Sequence, residues 1–213
     1  SLDAMSGDLG AEVVVHAAAA TLLKYRNVEL RLVGNQTELQ SLVSRIIGDN
    51  PRLQIIHASE VVEMAEPPVD ALRKKKDSSM RIAINLVKEG QADACVSSGN
   101  TGALMATAKF VLKTLPGIYR PAIITELPAK GGSLHMLDLG ANPDCTADNL
   151  VQFAVMGSVI ASDLHGTERP RVGLLNIGEE DIKGTDEIRE AQLRLGGAPI
   201  NYTGFVEGDK IFS

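Results

Sequence analysis

Three times in this chain a short apolar segment stops at a loop of Gly, Ser and Asn and then continues as a helical pattern. The loops are residues 98–102, 140–142 and 176–178. A strand, a tight polar loop and a helix N-terminus in succession leave backbone N–H groups free to hold an anion. We therefore expect the three loops to contribute to one shared anion site.

The composition limits how such a chain builds its core. Its 213 residues are 44% hydrophobic but only 3% aromatic, with no Trp. The core must therefore consist of Ala, Val, Ile and Leu, which is typical of parallel sheets covered by helices on both faces. We expect one α/β domain over residues 1–213.

Strand and helix patterns alternate along the chain, which predicts a doubly wound, mostly parallel sheet, a Rossmann-like three-layer sandwich. The Gly-rich turn at 128–132 predicts one antiparallel strand. Ligands bind outside the carboxyl ends of the strands in such sheets, where all three loops would lie. The predicted strands are 28–33, 53–57, 94–97, 122–127, 134–139 and 172–176, and the predicted helices are 11–25, 36–47, 79–87, 101–113, 149–164 and 186–195.

The net charge of −6 and pI of about 5.3 argue against a nucleic-acid-binding protein. The exception is the run Arg73, Lys74, Lys75 and Lys76, close to Arg81, which by residue type alone is best interpreted as a solvated helix end.

The sequence predicts neither a metal site nor a disulfide. Cys95 and Cys145 are isolated, and the four histidines share no ligand spacing. Two free thiols suit a reducing cytosol. With no leader and no apolar run long enough to span a membrane, we expect a soluble cytoplasmic protein, with surface contact to a membrane left open.

The usual motifs of nucleophilic and nucleotide chemistry are absent, including Gly-x-Ser-x-Gly, the Walker sequence and GxGxxG. Ser97 and Ser98 are better interpreted as loop caps than as nucleophiles, and Cys145 as a packing residue rather than an acyl acceptor. Neutral side chains at Asn100, Thr101, Asn142 and Asn176, with backbone N–H groups, suit phosphate or an oxyanion.

Five segments in order, residues 3–8, 73–80, 97–103, 137–145 and 174–184, closely resemble the bacterial phosphate acyltransferases that act on acyl-acyl carrier protein. The likeness extends over essentially the whole chain. The chain has Ser6 where this family normally has Gly, and family members continue past residue 213, so we expect the C-terminal part to be absent here.

The resemblance implies transfer of a fatty acyl group from acyl carrier protein to inorganic phosphate, giving acyl phosphate for phospholipid synthesis. It implies a homodimer and no cofactor. We assign phosphate or thioester oxygen to Ser98, Asn100 and Thr101, and positioning to Asn142 and Asn176. Charge neutralisation falls to Lys183, and proton or orientation work to Asp138 or Glu180. The remaining predicted substrate-binding residues are Asp8, Gly99, Gly102, Gly140, Gly178 and Glu179.

The resemblance also gives the basic run a role. Acyl carrier protein is small and acidic, and a net-acidic enzyme must present a local positive patch to it. Arg73, Lys74, Lys75, Lys76 and Arg81 are therefore the predicted docking residues. Two alternatives stay open: a relative that uses acyl-coenzyme A, and a non-catalytic scaffold that binds carrier protein.

Overall fold

The computed structural model describes residues 1–178, 180 and 182–212. The chain divides into two compact units, Ser1–Thr114 and Leu115–Ser213. The single domain expected over residues 1–213 stays a prediction.

The first unit is a parallel four-stranded sheet with helices on both faces. Its strand order is β3-β2-β1-β4. The strands are β1 (Leu2–Asp3), β2 (Leu30–Gly34), β3 (Leu53–His57) and β4 (Val96–Ser97). The helices are α1 (Gly10–Lys24), α2 (Gln36–Ile46), α3 (Pro68–Lys74), α4 (Ser79–Lys88) and α5 (Thr101–Leu112).

Strand β2 shows why both faces are covered. Leu30 and Leu32 are buried among α1 and α2, whereas Val33 is buried on the other face with Ala83 and Leu86 of α4. Successive strand side chains point to opposite faces, so a strand with almost no exposed position needs a layer of helices on each side.

Among its described residues, the second unit contains two separate strand pairs, two α-helices and a short 3-10 helix at Gly208–Lys210. Strands β5 (Ile124–Ala129) and β6 (Gly132–Leu137) pair antiparallel, as the Gly-rich turn predicts, and β7 (Arg171–Leu175) pairs parallel with β8 (Asn201–Val206). The helices are α6 (Ala147–His165) and α7 (Asp186–Leu195). The prediction of an α/β fold with a mostly parallel sheet and an antiparallel element is confirmed.

No helix over residues 68–74 is among the predicted elements, although the sequence at residues 66–68 allows a loop or a helix start. The basic run is interpreted above as a solvated helix end, and Arg73 and Lys74 form the last turn of α3, while Lys75 and Lys76 precede α4. Pro68 begins this helix, and Pro is favoured there because its fixed φ suits the first turn. Because α3 has only seven residues and follows two adjacent prolines, it shows no helical pattern in the sequence.

Arg52 ties the C-terminal end of α1 to the start of β3. Its Nη2 donates to the carbonyl of Leu22 at 2.7 Å, and its Nη1 donates to the carbonyl of Tyr25 at 2.8 Å. The last carbonyls of a helix have no intrahelical donor, so a guanidinium fork satisfies both at once.

We predict that Arg52→Ala lowers stability by about 1–3 kcal/mol, a fall in Tm of roughly 3–10 °C, because two carbonyls lose a charged donor. Arg52→Lys should restore part of the loss. Thermal denaturation followed by circular dichroism measures this, with Arg26→Ala, an exposed arginine nearby, as the matched control. Equal Tm values for Arg52→Ala and Arg26→Ala would contradict the account.

Candidate active site

The strand order of the first unit reverses between β1 and β4. β2 and β3 continue the sheet on one side of β1, and β4 adds on the other side. In open parallel sheets this switch point, at the carboxyl ends of the strands, is where ligands bind. Two loops leave the sheet there, residues 4–9 after β1 and residues 98–100 after β4.

A buried carboxylate joins these two loops. Asp3 is only 1% exposed, and its Oδ2 accepts a hydrogen bond from Ser97 Oγ at 2.7 Å. Its Oδ1 accepts from the backbone N–H of Ser6 at 3.3 Å, and Ser97 Oγ in turn accepts from the N–H of Gly99 at 3.1 Å. A buried charge is tolerated only where donors surround it, so Asp3 fixes both loops at once.

The loops approach each other so closely that two positions require Gly. A Cβ at Gly99 would lie 2.5 Å from Ser6 Cβ, and a Cβ at Gly7 would lie 2.6 Å from Ser98 Oγ. Gly7 also has φ +106°, which side chains rarely adopt. Ser98 Oγ donates to the carbonyl of Ser6 at 3.1 Å, so the predicted loop-capping role of Ser98 matches its contact.

Ser6 is the residue at which this chain departs from the resembling family. It is 2% exposed, and its Oγ has no hydrogen-bond partner within the described part of the chain. A buried hydroxyl without a partner is uncommon and costs free energy. Because it lies in the first loop and faces Gly99 of the second, Ser6 is a candidate ligand-binding residue that the sequence analysis noted only as a departure.

Asn100 uses its side chain to hold the protein together. Its Oδ1 caps α5 by accepting from the N–H of Ala103 at 3.0 Å, and its Nδ2 donates to the carbonyls of Met64 at 2.9 Å and Glu66 at 2.8 Å. The cap leaves the N–H groups of Thr101 and Gly102, the first two residues of α5, without an intrahelical acceptor. These two N–H groups are therefore the anion donors that the loop offers.

Asp8 lies apart from this arrangement of hydrogen bonds. It is exposed, in the loop before α1, and that helix begins without a side-chain cap.

In the second unit, Asp138 organises the loop after β6. Its Oδ1 accepts from the N–H groups of Ile123 at 2.8 Å and Ala141 at 3.3 Å. Its Oδ2 accepts from the N–H of Asn142 at 2.8 Å and from Asn142 Nδ2 at 3.0 Å. Gly140 provides the turn with φ +87°. The structure thus brings together three predicted site residues, Asp138, Gly140 and Asn142, with the carboxylate fully engaged by donors.

The loop after β7 closes around Asn176. This residue is 7% exposed, and its Nδ2 donates to the carbonyls of Gly178 at 3.0 Å and Lys183 at 3.3 Å. Its Oδ1 lacks a donor among the described residues and faces Gly184, where a Cβ would lie 2.5 Å away. Glu180 is exposed, and its carboxylate lies over Gly178 beside the side chain of Lys183. The predicted residue Glu179 lies outside the described residues.

Cys145 is a poor thiolate. Burial raises the pKa of its thiol, and the negative charge of nearby Asp138 raises that pKa further. The thiol donates weakly to the carbonyl of Asn142 at 3.6 Å. A thiol that stays protonated at neutral pH suits packing rather than nucleophilic attack.

The basic run is divided by its contacts. Arg73, Lys74 and Lys76 are exposed, although Lys74 pairs with Asp70 at 3.1 Å. Lys75 instead turns inward, and its Nζ donates to the carbonyl of Val61 at 2.8 Å. Arg73 and Lys76 are therefore exposed cations, Lys74 is exposed but paired with Asp70, and Lys75 holds the loop that precedes α3.

The sequence analysis missed Asp3 as a site residue and interpreted Ser97 only as a loop cap, which its contact with the N–H of Gly99 matches. Asp3 ends β1 and Ser97 ends β4, so both lie at the carboxyl edge that the fold prediction identifies. The sequence signal that could have predicted this contact is an acidic residue at the end of one strand and a hydroxyl residue at the end of the other.

Within the described residues, no helix is long and apolar enough to cross a membrane. In the same residues, no group of three His, Cys, Asp or Glu side chains is arranged to hold a metal ion.

Known structures share the fold. A phosphotransacetylase, EutD, from Staphylococcus aureus matches 92% of this chain and 65% of its own with a TM-score of 0.64 and 21% identity. A branched-chain phosphotransacylase from Enterococcus faecalis V583 matches 97% of this chain and 66% of its own with a TM-score of 0.58 and 16% identity. At these identities the likeness shows the fold alone.

Sequence relatives are much more similar. The chain is 59% identical over its whole length to a phosphate acyltransferase of Alkalilimnicola ehrlichii and 58% identical to one of Methylococcus capsulatus. It spans 62% and 63% of the lengths of these two relatives. The sequence profile of the family described as "Fatty acid synthesis protein" matches residues 1–213. The chain's similarity to bacterial phosphate acyltransferases agrees with this match. This chain therefore belongs to the fatty acid synthesis protein family.

Proposed function

We propose that this protein transfers a fatty acyl group from the thioester of acyl carrier protein to inorganic phosphate, and that the acyl phosphate enters phospholipid synthesis. The names of the relatives support phosphate as the acceptor. The observation that carries the proposal is the pair of loops at the β1/β4 switch point, where Asp3 and Asn100 fix the backbone and leave the N–H groups of Thr101 and Gly102 free. The proposal includes the cytoplasmic location, the homodimer and peripheral contact with a membrane.

The chemistry requires no nucleophile from the protein. An oxygen of hydrogen phosphate attacks the thioester carbonyl carbon, a C–O bond forms, the C–S bond breaks, and the phosphate proton ends on the thiol. The protein must hold phosphate near the carbonyl carbon and stabilise the oxyanion that develops. In this proposal the N–H groups of Thr101 and Gly102 hold phosphate, assisted by the hydroxyl of Ser6.

The second unit supplies positioning and charge in this proposal. Asp138 already accepts four hydrogen bonds, which favours the orientation role over proton transfer. Glu180 and Lys183 are both exposed, and the roles proposed for them are proton transfer and charge neutralisation, respectively. Asn142 and Asn176 keep their loops in shape through the carbonyls and carboxylate that they contact.

The experiment measures acyl phosphate, trapped with hydroxylamine, formed by the intact gene product from acyl-carrier protein at increasing phosphate. We predict that Thr101→Pro raises the KM for phosphate about tenfold, because it removes one N–H donor to a charged ligand. Pro is favoured at this first helical position, and the extended backbone of Asn100, φ −56° and ψ 109°, accommodates a following proline.

Thr101→Ala is the matched control, since it removes the hydroxyl but keeps the N–H. Equal KM values for phosphate in Thr101→Pro and Thr101→Ala would reject the backbone cradle. Acyl-coenzyme A in the same assay tests the alternative donor. Carrier-protein binding without any acyl phosphate from either donor would favour a scaffold and overturn the proposed function.

A second prediction separates direct transfer from an acyl-enzyme on Cys145. Because the pKa of this thiol is raised, its thiolate fraction at pH 7 is below that of an ordinary cysteine. Cys145→Ala should retain kcat within about twofold, and alkylation of Cys145 by iodoacetamide should accelerate only at pH above the usual thiol range. Loss of activity in Cys145→Ala together with a trapped thioester on Cys145 would contradict direct transfer.

The exposed cations of the basic run, Arg73, Lys74 and Lys76, together with Arg81, are our proposed docking residues for acyl carrier protein. Lys75 is not among the proposed docking residues, because its ammonium group donates a hydrogen bond to the backbone carbonyl of Val61.

A further inference from the structure

Phe110 is an exposed aromatic residue on the last turn of α5. The buried residues of this helix are Ala103, Thr107 and Val111, whereas Phe110 is 53% exposed. A single exposed apolar side chain is ordinary in itself. The significance of Phe110 comes from the side chains that surround its ring.

Two cations from different segments lie against this one ring. The guanidinium carbon of Arg81, on α4, is 5.3 Å from the ring centroid, and Nζ of Lys113, which follows α5, is 4.9 Å from it. Both distances are within the range of cation–π attraction. Phe110 therefore holds two positive charges together at the surface.

These charges are not neutralised within the described residues. No carboxylate there lies within 4.0 Å of the charged nitrogens of Arg81, Lys113 or the neighbouring exposed Lys109. Elsewhere in the described part of the chain, Arg45, Lys74, Arg189 and Arg194 all pair with carboxylates. In a chain of net charge −6, these two cations against an exposed ring, with the exposed Lys109 one residue before Phe110, form a local site for a negatively charged partner.

We infer that Phe110, with Arg81 and Lys113 against its ring and Lys109 next to it in sequence, is the anchor on which an acidic protein partner docks, and that this partner is the acyl carrier protein of the proposed function. The inference rests on that proposed function. The ring supplies the desolvated apolar contact and the cations pair with acidic side chains, the combination that dominates binding energy at protein interfaces. It extends the docking surface from the basic run to the C-terminal end of α5.

A protein partner fits this surface better than a lipid bilayer does. Helices that lie in a membrane surface bury a broad apolar face. Much of the apolar face of α5 is already buried with Ala71 of α3 and Ile84 of α4, so the last turn presents two apolar side chains, Phe110 and Leu112, rather than a broad apolar face.

The test is direct titration of fluorescently labelled carrier protein into the intact gene product, with Kd read from anisotropy. We expect Phe110→Ser to weaken the Kd about tenfold, the change associated with an interface hot spot. Lys109→Glu should weaken it about fivefold at low salt, with the difference shrinking as salt increases. Leu23→Ser, an exposed apolar residue on α1, and Lys88→Glu, an exposed cation on α4, are the matched controls and should bind as the unsubstituted protein does.

Measuring binding rather than turnover separates this inference from the proposed function. Weaker binding by Phe110→Ser in a protein that forms no acyl phosphate would support the docking anchor and reject the activity. Acyl phosphate formation with unchanged Kd for Phe110→Ser and Lys109→Glu would support the proposed activity and reject the docking anchor. Cosedimentation with anionic vesicles that Phe110→Ser abolishes, with Kd for carrier protein unchanged, would identify a membrane contact and overturn the inference.

Discussion

The arrangement of the first unit depends on one buried carboxylate. Asp3 ends β1 and accepts hydrogen bonds from Ser97 at the end of β4 and from the backbone of the loop at Ser6. Through Ser97 it also fixes the N–H of Gly99. Removing these donors would leave a charge buried without compensation, so the two loops and the carboxylate are stable only together. The start of α5, and the free N–H groups there, follow directly from this arrangement.

Three polar or charged side chains that the sequence analysis assigned to the site instead hold the loops in place. Asn100, Asp138 and Asn176 are engaged with backbone groups of their own surroundings. Among the described residues, backbone N–H groups, exposed charged side chains and the unpartnered oxygens Ser6 Oγ and Asn176 Oδ1 remain for a ligand. These groups suit a reaction in which the acceptor, phosphate, is itself the nucleophile. The protein then has only to stabilise the charge that develops, and fixed backbone dipoles do this without reorganising.

The sequence was sufficient to predict the α/β class and most elements, since buried strands, caps and Gly-ended helices leave local patterns. The prediction of residues 53–57 and 186–195 coincides with β3 and α7. At α3 it reached only the choice of a loop or a helix start at residues 66–68, because a helix of seven residues is too short to show a helical pattern. The Asp3–Ser97 contact joins residues 94 positions apart, and no local pattern reveals such a pair. For the same reason Lys75 could not be distinguished from its basic neighbours, because its partner is the distant carbonyl of Val61.

Direct observation of phosphate at the start of α5 tests the central claim most directly. The measurement is a titration of the isotope-labelled intact gene product with inorganic phosphate, followed by amide NMR shifts, against chloride at equal ionic strength. The account predicts saturable shifts at the amides of Gly99, Thr101 and Gly102 that chloride does not produce. Saturable phosphate shifts confined to other parts of the chain, with these three amides unchanged, would contradict it.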